Sequence, residues 1–437
     1  MKISPAREAA FDILRRIETE KAFSSALLPH YEEKLPEADR GLCHAITLGI
    51  LRRKIYLDKL IDQFSNGKKL DAAVRTVLQI GLYQLLFLDK IPDHAAINES
   101  VDLVMRSKKT SAKGFVNAIL RRATRERAAF TYIDDIERIS VETSHPRWLI
   151  EKWIAEFGPE YARKLAEANN EIPDAAFRPT HLFLTTHEAS DDLQQFGRFR
   201  RSAYVEGCYL TDRITSDLRE LENRHLIYFQ DEASQMVAQA VGLRDGDRFL
   251  DVCASPGSKT TAIAAAALNK GFTTHIAAGD INENRIKFLK TNCRAQDVDF
   301  VNCILYDAEV GLPFADESFD ILLIDAPCSG TGTIRHNPEI RYRLEPEDWQ
   351  ILAKKQLIIL KNASKLVAAG GRIIYSTCSI EKEENEDVIF SFLLEDQAFR
   401  SVVPVVPAVF HTSDGFARTV PHRDGMDGFF IAVLEKV

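Results

Sequence analysis

The carboxyl-terminal half of the chain alternates short apolar segments with longer stretches of helical pattern, and this alternation narrows the folds open to it. Helical stretches such as ENRIKFLKTNCRA and EDWQILAKKQLIILKNASKLV separate the first five apolar segments. Alternating strands and helices are typical of parallel strands joined by crossover helices, so we predict a doubly wound α/β sheet. The predicted strands, with two later ones, cover residues 248–252, 274–280, 300–306, 320–325, 372–376, 400–404 and 429–434.

Four successive apolar segments end in an aspartate. Residues just past the carboxyl ends of parallel strands line the ligand crevice, so these side chains would form a polar rim there. Any one of them alone is more often a helix cap or a turn former, and it is the repetition that favours the rim. The acid at the second strand end suits a ribose diol, as in dinucleotide-binding folds. In chain order the four aspartates are Asp251, Asp280, Asp307 and Asp325.

The loop after the first strand has the features of a cofactor-binding loop. The segment FLDVCASPGSKT, residues 249–260, passes through a Pro-Gly turn into an alanine-rich helix, so its amides lie at a helix N-terminus. Gly257 permits a close approach because it carries no side chain. The spacing is neither that of the GxGxxG fingerprint nor that of a P-loop.

Two cysteines follow the ends of two different apolar segments. Cys328 lies in DAPCSGTG, residues 325–332, and Cys378 lies in STCS, residues 376–379. A thiolate is the most nucleophilic ordinary side chain, and a second thiol can serve proton transfer or release, so the pair fits covalent catalysis. The alternative is a pair of buried or metal-binding cysteines, although neither segment supplies the paired ligands that zinc usually takes.

Five motifs together resemble those of the S-adenosylmethionine-dependent RNA cytosine-5 methyltransferases: SPGSKT, GDINENR, DAPCSGTG, STCS and QDEAS. The resemblance covers nearly the whole chain and implies three domains. These are an all-helical NusB-like RNA-binding domain at 1–130, a small α+β subdomain at 140–225, and a class I, Rossmann-like methyltransferase domain at 226–437 whose sheet closes with an antiparallel hairpin. The chain departs from the family at Ser258: the family usually has PGGK where this chain has PGSK at 256–259.

The resemblance also implies a reaction and its residues. The reaction is methyl transfer to carbon 5 of a cytosine in RNA through a covalent cysteine adduct, and the NusB-type extension favours 16S rRNA. Cys378 would be the nucleophile, Cys328 would assist breakdown of the adduct, and Asp325 would bond the cytosine ring near N3. In S-adenosylmethionine, Asp280 would bind the ribose and Asp307 the adenine amino group. The residues implied for the cofactor are Cys253, Ala254, Ser255, Pro256, Gly257, Ser258, Lys259, Asp280, Arg285, Asp307 and Asp325.

The distribution of charge also points to a nucleic acid. The net charge of −8 would by itself argue against such a partner. However, residues 1–130 contain 23 Lys and Arg against 16 Asp and Glu, and the rest of the chain contains 33 against 48. Such an excess in one domain is typical of a phosphate-binding module, although any one basic cluster is more often a solvated helix face. The clusters are RRK at 52–54, RSKK at 106–109 and RRATRER at 121–127.

Composition limits the class of protein. No apolar run approaches transmembrane length and the first residues lack the apolar core of a signal peptide, so we expect a cytoplasmic protein with no membrane partner. Seven cysteines without regular spacing argue against a disulfide framework. We also expect a monomer with no metal.

The middle of the chain mixes helical and strand patterns. The segment SHPRWLIEKWIAEFGPEYARKLAEANNEIP predicts two helices separated by a Gly-Pro break. The segments HLFLTT, RSAYVEGCYL and HLIYFQ are predicted to form short strands.

Three other functions stay open. A cytosine-5 methyltransferase could act on tRNA instead of rRNA. A non-catalytic NusB-like assembly factor would have no need of two placed cysteines. A methyltransferase acting on an exocyclic nitrogen or a protein would need no thiol, and typically carries an Asn/Asp-Pro-Pro-aromatic loop where this chain has DAPCSG.

Overall fold

The structure is a computed structural model that describes residues 3–186 and 190–437. Contacts between residues divide the chain into two compact units. The first unit contains Met1–Glu171 and Ile334–Leu344, and the second contains Ile172–Thr333 and Glu345–Val437. The chain therefore leaves the second unit after residue 333 and returns to it at residue 345.

Helices are the regular elements of the first unit in the part that the structure describes, which confirms the prediction of an all-helical amino-terminal domain. Apolar residues at three and four spacing form the buried face of each helix, as Ala6, Ala10, Ile13 and Ile17 do in the first one. The helices are α1 (Pro5–Glu20), α2 (Ser24–Glu32), α3 (Glu37–Phe64), α4 (Ala72–Phe87), α5 (Asp93–Arg106), α6 (Lys113–Ala123), α7 (Asp135–Thr143), α8 (Arg147–Phe157) and α9 (Pro159–Ala168).

Helices α7 to α9 belong with the amino-terminal helices. Helix α3 departs from helical geometry at Arg53, and shortly after this point the backbone amide of Tyr56 donates to Ser144 Oγ at 3.1 Å. Contacts of this kind place residues 140–171 in the first unit. This differs from the prediction of a middle subdomain at 140–225. The sequence pattern of a helix does not show which neighbour the helix packs against.

A buried arginine joins the returning segment to the ends of two helices. Arg341 is fully buried and donates to the carbonyls of Thr143, at the end of α7, and of Asn169, just past α9, each at 3.1 Å. It also donates to Asn170 Oδ1 at 2.9 Å. Carbonyls at a helix C-terminus lack partners within the helix and carry partial negative charge, so the guanidinium satisfies both ends at once.

Arg52, the first residue of the basic cluster at 52–54, is part of the fold and is not available to a phosphate. Arg52 is buried, and its Nη2 donates to the carbonyl of Arg335 at 2.9 Å. Burial lowers the pKa of the Arg52 guanidinium. The exposed arginines of the third cluster are Arg121, Arg125 and Arg127.

A small antiparallel sheet opens the second unit, in the order β2-β3-β1-β4. Two of the three predicted strand segments contribute to it, but HLFLTT is a helix and that prediction is wrong. The Thr180 hydroxyl accepts from the amide of Phe183 at 3.3 Å, which starts a helical turn directly after the strand ends at Pro179. The elements are β1 (Ala175–Pro179), α10 (His181–Thr186), β2 (Arg200–Arg201), β3 (Tyr209–Thr211), α11 (Ser216–Asn223) and β4 (Ile227–Phe229).

The main sheet has eight strands in the order β10-β12-β9-β8-β5-β6-β7, with β11 paired to β12. Strands β5 to β9 are parallel, and β12 runs antiparallel between β9 and β10, which confirms the doubly wound sheet and its closing hairpin. The strands are β5 (Arg248–Asp251), β6 (His275–Asp280), β7 (Asn302–Leu305), β8 (Phe319–Asp325), β9 (Val367–Thr377), β10 (Phe399–Val402), β11 (Ala417–Arg418) and β12 (Phe430–Lys436).

Helices accompany this sheet along the chain. Consecutive residues of β8, from Ile321 to Ile324, are buried, as expected of a parallel strand with both faces covered. The helices are α12 (Glu232–Val241), α13 (Ser258–Asn269), α14 (Glu283–Ala295), α15 (Asp348–Ser364), α16 (Glu386–Glu395) and α17 (Pro421–Asp424). Among the described residues, no helix has the length and apolar character needed to cross a membrane.

Replacing Arg341 with Met should lower the free energy of unfolding of the first unit by at least about 2 kcal/mol, because the buried carbonyls lose their donors. The measurement is urea unfolding followed by tryptophan fluorescence, since Trp148 and Trp153 lie in α8. The control is Arg163→Met, which removes a partly exposed guanidinium on α9 and should change stability by less than about 0.5 kcal/mol. Equal effects of the two substitutions would contradict the role given to Arg341.

Candidate active site

The site lies where the strand order of the main sheet reverses. Strands β5 and β8 are neighbours, and the chain continues from β5 towards β6 on one side and from β8 towards β9 on the other. At such a switch point the loops after the two strands diverge and leave a crevice, which is the usual ligand site of open α/β sheets. The loop after β5 is the predicted cofactor loop, and the loop after β8 carries Cys328.

The loop after β5 needs a glycine at its turn. Gly257 has φ +100°, and a Cβ atom there would lie 2.6 Å from Leu289 Cδ1 on α14. The amide of Ala254 donates to the carbonyl of Gly279 at 2.8 Å, and Asn292 Nδ2 donates to the carbonyl of Pro256 at 2.7 Å. These bonds fix the loop against β6 and α14, with its last residues at the N-terminus of α13.

The departure from the family pattern is compatible with this loop. Ser258 is the first residue of α13, and its backbone is not in the left-handed region that favours glycine. A serine there is therefore accommodated without strain. Ser255 Oγ donates to the carbonyl of Arg285 at 3.2 Å, which adds a contact between this loop and α14.

Two of the four strand-end aspartates lie at neighbouring strand ends beyond this loop. Asp280 ends β6, is 5% exposed, and accepts from the amide of Asn282 at 3.1 Å. Asp307 lies two residues past β7 and accepts from the amide of Glu309 at 2.9 Å. Arg285 Nη1 is 3.8 Å from Asp280 Oδ2, and its side chain is largely exposed. The predicted cofactor carboxylates thus share one edge of the sheet.

The first strand-end aspartate has a structural role. Asp251 is buried, and its Oδ2 accepts from Thr260 Oγ1 at 2.7 Å, which ties β5 to the first turns of α13. Burial raises its pKa to about 7. Burial also raises the pKa of Cys253 well above its usual value, so this thiol stays protonated and is a lining group and not a nucleophile.

The two motif cysteines meet because their strands pair in register. Asp325 at the end of β8 lies opposite Ser376 in β9, and each cysteine follows two or three residues later. The Sγ atoms of Cys328 and Cys378 are 3.3 Å apart. The amide of Gly332 donates to the carbonyl of Cys378 at 2.9 Å and links the two loops directly.

The two thiols differ in their surroundings. The hydrogen bond to Cys378 and then burial raise the pKa of Cys328 well above its usual value, so Cys328 stays a thiol at neutral pH. Cys378 instead interacts electrostatically with the ammonium of Lys259. The predicted nucleophile Cys378 therefore lies near a cation, and its predicted partner Cys328 is a thiol within hydrogen-bond distance of it.

Lys259 forms an ion pair with the aspartate at the end of β8. Its Nζ is 2.7 Å from Asp325 Oδ2, and Ser376 Oγ donates to Asp325 Oδ1 at 2.9 Å. Burial alone would lower the pKa of Lys259, but the carboxylate of Asp325 outweighs burial and the pKa lies above its usual value. The resemblance implies Lys259 as a cofactor residue, and in the structure its ammonium is paired with Asp325.

Sequence reasoning did not single out Ser329, Ser379 or Glu384. Each motif cysteine is followed by a serine, and both serines hydrogen-bond to the carboxylate of Glu384. The repeated Cys-Ser pair was the available signal. Glu384 itself lies in EKEENED, a run of charge that is typical of a solvated surface, yet its side chain is fully buried.

Comparisons with known proteins show which proteins this chain is similar to. Residues 238–435 match the family model of the 16S rRNA methyltransferase RsmB/F, and residues 4–125 match that of the NusB family. The chain is 32% identical to the probable ribosomal RNA small subunit methyltransferase B of Bacillus subtilis, with 100% of both chains covered. It is 33% identical to the ribosomal RNA small subunit methyltransferase B of Pseudomonas putida, covering 99% of this chain and 98% of the relative. A crystal structure described as PH0851 covers both chains fully with a TM-score of 0.84 at 24% identity, which shows a shared fold.

Replacing Gly257 with Ala should destabilise the second unit more than replacing Gly271 with Ala. Both glycines have positive φ, but the space around Gly271 is open, whereas the new methyl group at Gly257 meets Leu289. The difference in unfolding free energy should be roughly 1–3 kcal/mol, the usual cost of overpacking. Urea unfolding of the two variants measures it, and equal losses would show that Leu289 gives way freely.

Proposed function

The chain belongs to the ribosomal RNA small subunit methyltransferase B family, and we propose that it methylates carbon 5 of one cytosine in 16S rRNA through a covalent cysteine adduct. As a member of this family it is an S-adenosylmethionine-dependent RNA methyltransferase. The observation that carries the finer proposal is the contact at 3.3 Å between the Cys328 and Cys378 sulfurs, beside the Lys259–Asp325 ion pair. Methyl transfer to an exocyclic nitrogen needs neither thiol.

The residues around the crevice fit the cofactor. The loop 253–258 is held close to the start of α13, where backbone amides favour polar or anionic groups. In the proposal Asp280 accepts from the ribose hydroxyls, Asp307 from the adenine amino group, and Arg285 borders the same edge. When bound, S-adenosylmethionine supplies an electrophilic methyl group.

The thiolate of Cys378 overcomes the poor nucleophilicity of carbon 5. Its sulfur forms a bond to carbon 6 of the cytosine, and the electron pair of the double bond between carbons 5 and 6 makes carbon 5 enamine-like. Asp325 bonds the ring near N3 and orients the base, while the Lys259 ammonium holds this carboxylate in place and offsets the negative charge that the addition places on the ring. Carbon 5 then accepts the methyl group.

Breakdown of the adduct needs the second thiol. A water molecule takes the proton from carbon 5, and the electron pair of that bond restores the double bond between carbons 5 and 6. The bond between carbon 6 and sulfur breaks, and its electron pair returns to Cys378 as a thiolate. Cys328 lies within hydrogen-bond distance of this sulfur and is protonated, so it stabilises the leaving thiolate. This assignment gives the two cysteines different roles, which different variants will separate.

The RNA must present an unstacked cytosine to reach these groups. A base that is stacked inside a duplex cannot place its carbon 6 against the partly buried sulfur of Cys378, so the target cytosine is single-stranded or flipped out of the duplex. The exposed arginines of the helical unit at 121, 125 and 127 are suited to phosphate contacts. One chain contains every residue that the proposal uses, so it requires only a monomer.

Replacing Asp280 with Ala should weaken binding of S-adenosylmethionine by about 1–3 kcal/mol, because the ribose hydroxyls lose a charged acceptor. Isothermal titration calorimetry measures the change. Asp316→Ala, which removes an exposed carboxylate of the same unit, should bind as the unmodified protein does. Unchanged affinity in the Asp280 variant would remove this residue from the cofactor site.

The two cysteine variants should fail in different ways. Cys378→Ser should abolish methyl transfer and also covalent trapping on RNA that contains 5-fluorocytosine, because no adduct forms. Cys328→Ala should form the adduct with ordinary cytosine and release it slowly, so that a protein–RNA species survives on denaturing gels. Cys303→Ala, which removes a thiol of β7, should behave as the unmodified protein.

The opposite pattern would reverse the assignment. If the adduct survives loss of Cys378 and disappears with loss of Cys328, then Cys328 is the nucleophile. If no variant and no substrate analogue yields an adduct while methyl transfer proceeds, the covalent mechanism is excluded.

A further inference from the structure

One buried carboxylate connects the two cysteine loops. Oε2 of Glu384 accepts from Ser329 Oγ and from Ser379 Oγ, each at 2.5 Å. Oε1 accepts from the backbone amide of Ser329 at 2.8 Å. The two serines directly follow Cys328 and Cys378, so the carboxylate holds the residue next to each thiol.

A third segment completes the shell around this carboxylate. Nε2 of Gln356 on α15 donates to Glu384 Oε1 and to the carbonyl of Pro327, both at 3.0 Å. The backbone carbonyl of Glu384 accepts from the Tyr375 hydroxyl at 2.7 Å. The carboxylate therefore has four donors from α15 and the two loops, and its own backbone is held by β9.

The sheet does not need this arrangement for its own stability. The ladder between β8 and β9 already extends to Asp325 and Ser376, before either cysteine. Burying a carboxylate is costly even when it is fully hydrogen-bonded, and well-packed apolar side chains would stabilise the same space at least as well. What the carboxylate adds is a fixed spacing between two loops that are otherwise joined by the Gly332–Cys378 backbone bond, the contacts of Thr331 and the contact at 3.2 Å between the Ser329 and Ser379 hydroxyls. Both of these hydroxyls donate to Glu384.

We propose that Glu384 is a positioning residue that sets the distance between the Cys328 and Cys378 thiols through Ser329 and Ser379. It touches neither sulfur, and it acts on the reaction through the two serines. The inference rests on the proposed function for its catalytic meaning, because a thiol can stabilise its leaving partner only if the spacing is kept. The spacing itself is a property of the protein without RNA.

Two substitutions distinguish the effect of the Glu384 charge from the effect of its side-chain volume and hydrogen bonds. Glu384→Gln keeps the volume but loses the charge and one acceptor oxygen, and Glu384→Ala removes every bond. The single-turnover rate of methyl transfer should fall about tenfold in the first variant and about a hundredfold in the second, the usual scale of a misplaced reacting group. The affinity for S-adenosylmethionine and the melting temperature of the Gln variant should stay close to those of the unmodified protein.

The matched control is Asp387→Asn, which neutralises an exposed carboxylate three residues further on. It should leave the rate unchanged. If the Gln variant loses rate and melting temperature together, Glu384 only supports the fold, and the proposal is overturned. Ser379→Ala, which removes one of the four donors, should reproduce the rate loss of the Gln variant in part.

A second readout does not depend on the RNA reaction. Diamide oxidises two adjacent thiols to a disulfide and takes up their two hydrogen atoms, and closure of the disulfide requires the two sulfurs to be close. The hydrogen bond to Cys378, burial and the charge of Glu384 raise the pKa of Cys328, so loss of that charge by itself favours oxidation, and a slower rate reports the spacing. Mass spectrometry of the linked peptides should show slower linkage in both Glu384 variants, by about tenfold or more, and an unchanged rate in Asp387→Asn. Unchanged linkage in the Glu384 variants would overturn the proposal. If linkage is slower in the Glu384 variants but the unmodified protein never methylates cytosine, the spacing role is upheld and the proposed function is rejected.

Discussion

The parallel pairing of β8 with β9 is the constraint on which the rest of the site depends. It places Asp325, the last residue of β8, opposite Ser376, and β9 ends one residue later at Thr377. Two loops that are far apart in the chain therefore start from one edge, and their cysteines meet at 3.3 Å. A slip of one residue in this ladder would turn the side chains to the opposite face and separate the thiols. The approach of the two sulfurs is thus a consequence of sheet register.

Charged side chains hold the residues around the two cysteines. Lys259 and Asp325 form an ion pair where β8 ends, and Glu384 hydrogen-bonds to Ser329 and Ser379. In a dry interior such groups keep their positions because few alternative partners exist. The hydrogen bond to Cys378 and burial raise the pKa of Cys328 well above its usual value, whereas Cys378 lies near the ammonium of Lys259. In the proposed mechanism these two chemically identical side chains have different tasks.

The sequence was sufficient to predict seven of the eight strands of the main sheet, its closing hairpin and the position of the two cysteines past strand ends, because apolar segments and their ends depend on local pattern. It was insufficient where tertiary contacts decide the structure. Arg52 belongs to a run of charge that is typical of a surface, yet it is buried. The segment HLFLTT has the composition of a strand but follows Thr180, whose hydroxyl caps a helix. The role of Glu384 depends on partners that are far apart in the chain, so no local pattern shows it.

The central claim is that this thiol pair directs the methyl group to carbon 5 of cytosine in ribosomal RNA. The most direct measurement uses the purified protein, S-adenosylmethionine, and unmodified 16S rRNA and tRNA in parallel, followed by digestion and mass spectrometry of the nucleosides. The account predicts 5-methylcytidine from the rRNA and none above background from the tRNA. A different methylated nucleoside, or 5-methylcytidine from tRNA alone, would contradict it.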